Sequence, residues 1–132
     1  MNVNFTGHWI ANLSKSRFLG PLPKAVSIKI EHSEPELQEI IEVTKPGGSE
    51  ERVAFKCWTN PEQYKNLLNG IAISGYARWQ GEELIIESRM RLGGREMYFC
   101  DCWSLSSDGQ TLSMEHRNDD LAGQLAVLDR VR

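Results

Sequence analysis

The chain has 132 residues with a formal net charge of -3, a length that suits one domain able to bury a core without disulfides or metal. Its positive and negative side chains are interspersed, so no basic stripe is available for a phosphate backbone and we expect no nucleic-acid partner. The apolar runs are far shorter than the about 20 residues that a membrane-spanning helix needs, so we expect no membrane insertion.

Short segments in which apolar and polar residues alternate follow one another along the chain, and a period of two predicts β-strands. The first lies at Gly7-His8-Trp9. The loop after it runs from Leu13 to Lys24, and its apolar part, Phe18 to Pro23, is expected to cross one end of the structure as a plug or a lid. Further strands are expected near residues 26–31, 37–44, 53–57, 71–79, 84–91, 97–103, 112–116 and 125–129.

The residues between these segments are typical of hairpin turns. Consecutive strands are therefore expected to be neighbours in space. A meander of this kind leaves two open edges unless it closes, so the sequence predicts an all-β fold. We expect residues 1–132 to form a single antiparallel up-and-down β-barrel of about 8–10 strands. The turn segments are residues 32–36, Pro46-Gly47-Gly48, Gln80-Gly81, Gly93-Gly94 and Asp108-Gly109.

One segment breaks the alternation and suggests a helix. Asn60 is a suitable N-cap, Pro61 suits the first helical position, and Asn69-Gly70 offers a stop. One short helix is therefore expected near residues 61–69.

The two ends of the chain carry a pair of residues that suits barrel closure. Trp9 lies in the first strand, just after Gly7, and Arg130 ends the last strand. Where the first and last strands of a closed barrel pair, a guanidinium can lie on an indole face. We expect Gly7, Trp9 and Arg130 to stabilise this closure.

The turn at Asp108-Gly109 bears on a polar pair. If it is a two-residue turn, Asp101 lies directly opposite His116, and cross-strand partners have their Cβ atoms about 5 Å apart. The acid would then raise the pKa of the imidazole. A four-residue loop would keep the same faces but place Asp101 opposite Met114 and Phe99 opposite His116.

The residues on the same faces as this pair are mostly apolar or aromatic. Such side chains suit an adaptable ligand cavity, and they also suit an ordinary packed core in which Asp101 and His116 only satisfy each other. On the first interpretation, the ligand-binding residues are Asp101, His116, Trp79, Trp103, Phe99, Met90, Met97, Met114, Phe55 and Ser88.

Four arginines, Arg78, Arg89, Arg91 and Arg117, fall on the faces assigned to the outside. A β-bulge would reverse the assignment for its strand and turn one of them into an interior anchor for a carboxylate.

The cysteines, Cys57, Cys100 and Cys102, are odd in number and lack the spacing of metal ligands. They fit reduced thiols, and the first residues lack the pattern of a secretory leader. We therefore expect a cytoplasmic protein without a metal or cofactor.

The early Gly7-His8-Trp9, the loop after it, the hairpin meander and Arg130 together resemble the calycin superfamily of lipocalins and fatty-acid-binding proteins. The resemblance implies a lipocalin-like barrel that binds a small hydrophobic or amphipathic molecule. The chain departs from fatty-acid-binding proteins in lacking a helix-turn-helix after the first strand.

Two alternatives to a binding protein remain. In one, Asp101 and His116 serve as the acid and base of an enzyme, although no nucleophile motif supports catalysis. In the other, a filled barrel acts through its surface, with Ala72, Ser74 and Tyr76 forming a homodimer contact.

Overall fold

A computed structural model describes residues 3–118 and 123–131 of the chain. These residues form an all-β fold in which ten antiparallel strands make a nearly closed barrel. The strands are β1 (Gly7–Ala11), β2 (Ala25–Ser33), β3 (Glu36–Thr44), β4 (Glu50–Trp58), β5 (Tyr64–Leu68), β6 (Ile71–Gln80), β7 (Glu83–Leu92), β8 (Arg95–Leu105), β9 (Thr111–Asn118) and β10 (Gly123–Arg130).

The sheet is a meander whose first and last strands pair with each other. Its order is β4-β3-β2-β1-β10-β9-β8-β7-β6-β5, so β1 lies between β2 and β10. Trp9 is the register partner of Arg130 in the β1–β10 pair. The strands at the two ends of this order are β4 and β5.

The alternation of apolar and polar residues sets which side chains face the interior. In β2, Val26, Ile28 and Ile30 are buried while the residues between them are half-buried or exposed. The tight turns then fix the register. Gly93 and Gly94 both have positive φ, 56° and 79°, as a two-residue hairpin turn between right-twisted strands requires.

The seam between β4 and β5 is bridged by a side chain. The Asn66 amide accepts a hydrogen bond from the Lys56 backbone N–H at 3.1 Å and donates one to the Lys56 carbonyl at 2.8 Å. Among the described residues no backbone ladder joins these two strands. The amide of Asn66 therefore takes the place of a strand neighbour at this gap.

The expected helix near residues 61–69 is wrong, because Tyr64–Leu68 is strand β5. Asn60 caps a turn instead, accepting the Glu62 N–H at 3.0 Å, and Asn69-Gly70 forms the hairpin turn into β6. Tyr64 is fully buried, and its hydroxyl donates to the Glu87 carbonyl at 2.8 Å. Pairing with β6 and burial of this tyrosine outweigh the local helix signals.

One end of the barrel is packed solid with aromatic rings. Phe5 stacks on Trp79 with ring centroids 5.8 Å apart and meets Trp103 edge-on at 5.5 Å. The imidazole of His32 stacks against both Phe5 and Trp79, with ring centroids 5.7 and 5.9 Å apart. The space that remains inside the barrel therefore lies toward the opposite end.

Candidate functional site

A cavity of about 610 Å³ lies inside the barrel. Its walls come from β2, β3, β8, β9 and β10, and the loop that contains Phe18 and Leu19 lies at its mouth. The loop is held to the barrel by two backbone hydrogen bonds between Arg17 and Leu125, of 2.7 and 2.8 Å. Mostly apolar side chains form its wall, including Val26, Ile28, Ile41, Val43, Trp103, Met114 and Ala126.

A second cavity of about 230 Å³ lies beside the first. It is enclosed by side chains from β3, β4, β5, β6, β7, β8 and β9. Glu39, Ile41, Asp101 and His116 line both cavities. Three ionisable groups therefore stand where the two apolar spaces meet.

Glu39 is the residue of this group that the sequence analysis missed. Its side chain points inward from the middle of β3 and is only 8% exposed. Its Oε2 atom is buried and has no hydrogen-bond partner in the part of the chain that the structure describes. Burial, with a smaller contribution from the charge of Asp101, raises the pKa of Glu39 to about 8. The carboxyl is therefore mostly protonated at neutral pH.

Asp101 and His116 are direct cross-strand partners, in the register that a two-residue turn at Asp108-Gly109 predicts. The imidazole Nδ1 is hydrogen-bonded to the Asp101 carboxylate, and the ring stacks on Phe99 with centroids 5.2 Å apart. The hydrogen bond to Asp101 raises the pKa of His116, and partial burial opposes this effect. The pair is half-buried, so it is open to the cavity.

Most of the other predicted ligand-binding residues line one of the two cavities. Trp103 and Met114 contribute to the larger, and Phe55, Ser88, Met90 and Phe99 to the smaller. The hydroxyl of Ser88 is hydrogen-bonded to the hydroxyl of Tyr64. The Ser88 hydroxyl therefore already has a hydrogen-bond partner in the wall of the barrel.

Trp79 and Met97 are predicted ligand-binding residues that the structure places outside both cavities. Trp79 belongs to the packed end, where its indole N–H donates to the Glu34 carboxylate at 2.6 Å. Thr59 donates to the same carboxylate at 2.5 Å. Met97 is half-buried opposite Met90, close to the β7–β8 turn.

The residues predicted to close the barrel are brought together. The Arg130 guanidinium lies over the Trp9 ring, 4.2 Å from its centroid, and also donates to the carbonyls of Thr6 at 2.9 Å and Gly109 at 3.0 Å. A Cβ atom at Gly7 would lie 2.5 Å from Nη1 of Arg130. Only glycine leaves room for the guanidinium at this position.

The thiols are poorly suited to nucleophilic chemistry. All three cysteines are free, and burial raises the pKa of Cys57 to about 12 and that of Cys102 to about 11. Asp101 and His116 could exchange a proton with a bound molecule, since both line the cavity. Within residues 3–118 and 123–131, no group of three or more His, Cys, Asp or Glu side chains is placed to hold a metal ion.

No helix among the described residues is long and apolar enough to cross a membrane. The four arginines assigned to the outside, Arg78, Arg89, Arg91 and Arg117, are all exposed. None of them lines either of the two cavities.

No protein-family model matches this chain, and no curated protein matches it either. Among solved structures, the chain is similar to secretory abundant heat soluble protein 4 from Ramazzottius varieornatus, with a TM-score of 0.62. The match covers 98% of this chain and 96% of the other, at 11% sequence identity. At that identity the similarity is one of fold alone.

Proposed function

We propose that this protein is a lipocalin-like container that binds a small hydrophobic or amphipathic molecule inside its barrel. The observation that carries the proposal is the cavity of about 610 Å³ with its mostly apolar wall. Its volume is in the range of ordinary ligand pockets, and a few convergent polar groups in an apolar cleft are typical of such sites. A barrel filled by its own side chains would leave no such space.

Membership of the calycin superfamily is part of the same proposal. It is supported by the stacking of Arg130 on Trp9 where the first and last strands pair. A cytoplasmic location is also proposed, and the three free cysteines favour it.

A titration with phenylnaphthylamine, a neutral apolar dye whose fluorescence rises in an apolar environment, tests the proposal. The wild-type protein is expected to enhance the fluorescence in a saturable way. Ile41→Trp should reduce this binding strongly, because Ile41 lines both cavities and the larger side chain would occupy the space.

Ile10→Trp is the matched control, since Ile10 is a strand residue that is 45% exposed. It should bind the dye as the wild type does. Equal dye binding by both variants, or binding that never saturates, would show that the dye does not enter the cavity.

A further inference from the structure

The interior of the barrel is acidic where its two cavities meet. Glu39 and Asp101 contribute carboxyl groups there, and His116 is paired with Asp101. The lysine that lines the larger cavity, Lys45, is ion-paired to Glu51 at 3.0 Å and is well exposed to solvent. Of the carboxylates that line the larger cavity, Glu39 is the one with a buried oxygen that has no hydrogen-bond partner within residues 3–118 and 123–131.

The charges of this cluster limit which ligand can enter. A protonated His116 neutralises Asp101, so a protonated Glu39 leaves the cluster neutral. A carboxylate ligand would add a negative charge beside two acids, and the one cationic group of the cluster, a protonated His116, is already paired with Asp101. A ligand with a positive charge instead balances an ionised Glu39 and gives its orphaned oxygen a hydrogen-bond donor. Charge-assisted bonds of this kind are about twice as strong as those between neutral groups.

We propose that the ligand is an apolar molecule with a primary ammonium head group, and that the Glu39 carboxylate receives this head. The inference rests on the proposed function, because it assigns a chemical class to the ligand of the same cavity. The head lies at the junction of the two cavities. The apolar tail extends along the larger cavity, past Ile28 and Met114, toward the loop at its mouth.

Binding then displaces a proton. The free protein holds the proton on Glu39, and formation of the ammonium–carboxylate pair releases it to the solvent, while the amine keeps its own protons. Among the described residues, the titratable groups near Glu39 are Asp101 on β8, its partner His116 on β9, and the Cys57 thiol on β4. Lys45 and Glu115 line the same larger cavity and are ion-paired to Glu51 and Arg117.

The experiment measures displacement of phenylnaphthylamine by decylamine, decanol and decanoate at neutral pH. These three probes share one chain and differ in the charge of the head. Wild-type protein should bind decylamine most tightly and decanoate most weakly. In Glu39→Gln the affinity for decylamine should fall about tenfold to a hundredfold, the equivalent of one hydrogen bond to a charged group. The affinity for decanol should change by less than about threefold.

Glu42→Gln, an exposed position on the same strand, is the matched control and should keep the wild-type preference. Calorimetry of decylamine binding in two buffers of different ionisation enthalpy should also show proton release from wild type and none from Glu39→Gln. The proton release from the wild-type protein is informative by itself, so this part of the readout does not depend on the folding of the variant.

The outcomes separate the two proposals. If all three probes bind equally well, or decanoate binds best, the head-group inference is overturned while the container stands. If neither the dye nor any of the three probes binds the wild-type protein, both proposals fail. Loss of decylamine affinity in Glu42→Gln as large as in Glu39→Gln would assign the effect to surface charge and would also overturn the inference.

Discussion

Replacing Glu39 by glutamine is expected to stabilise the free protein, by an amount that grows as the pH rises. The pKa of Glu39 is raised from 4.5 to about 8 in the folded protein. Between these values the folded state binds more protons at this site than the unfolded state, so stability falls as pH increases. Because glutamine cannot ionise, the stability of the variant does not fall with pH through this site.

The magnitude follows from the two pKa values, because each unit of difference corresponds to about 1.4 kcal/mol. Between about pH 5 and about pH 7, Glu39 ionises in the unfolded chain but stays mostly protonated in the folded protein, which lowers the unfolding free energy of the wild type by about 2–3 kcal/mol relative to the variant. For a chain of this length that is a shift of roughly 10 °C in melting temperature.

Urea denaturation gives the unfolding free energy of both proteins at both pH values. The predicted quantity is the change between the two pH values in the wild type minus the same change in the variant. His116 also has a raised pKa, so its stabilising contribution is likewise lost as pH rises, but both proteins carry that histidine and it cancels. The exposed Glu42→Gln should follow the wild type at both pH values. If Glu39→Gln also followed it, the Glu39 carboxyl would have to be solvated or hydrogen-bonded, and the argument from its burial would fail.

Three further substitutions test side-chain contacts that hold the strands of the barrel together. Arg130→Ala should lower stability by about 2 kcal/mol in thermal denaturation, because it removes the cation from the Trp9 ring and leaves two carbonyls unpaired; an unchanged melting curve would refute a structural role. Tyr64→Phe should cost about 1–2 kcal/mol through the lost hydroxyl bonds to β7, and a neutral result would show that water replaces them. Asn66→Ala should speed hydrogen exchange at the Lys56 amide, and equal exchange rates would mean that the seam does not depend on this side chain.

The strands and their pairing could be predicted well because two independent signals agree along most of the chain. Alternation gives the faces, and two-residue turns give the register. The turn at Gly93-Gly94 places Leu84 opposite Trp103 and Ser88 opposite Phe99, and the structure has both pairs. Where only local signals were available, as at Asn60-Pro61, the expectation of a helix failed, because strand pairing is a long-range interaction that those signals do not contain.

Glu39 was missed because the apolar residues around it do not show which alternate positions of β3 face the interior. Ile40 and Ile41 are adjacent, so they favour neither face. Leu37 and Val43 share the parity of Glu39, and this was the signal that could have placed its side chain inside. A charged residue on an inward face is expensive, so a pattern-based prediction tends to discard it.

The placement of Trp79 and Met97 shows a different limit of the same reasoning. A period of two gives the face of a strand but not the height of a residue along the barrel axis. Trp79 packs on Phe5 at the closed end, and Met97 lies near a turn, whereas Asp101 and Trp103 lie on the same strand as Met97 and line the larger cavity. The height of the cavity depends on where the aromatic packing stops, and that is set by residues far apart in sequence, such as Phe5 and Trp103. A site inside a barrel is thus defined by the end that its own side chains fill, and in this barrel Glu39, Asp101 and His116 line the space that those side chains leave open.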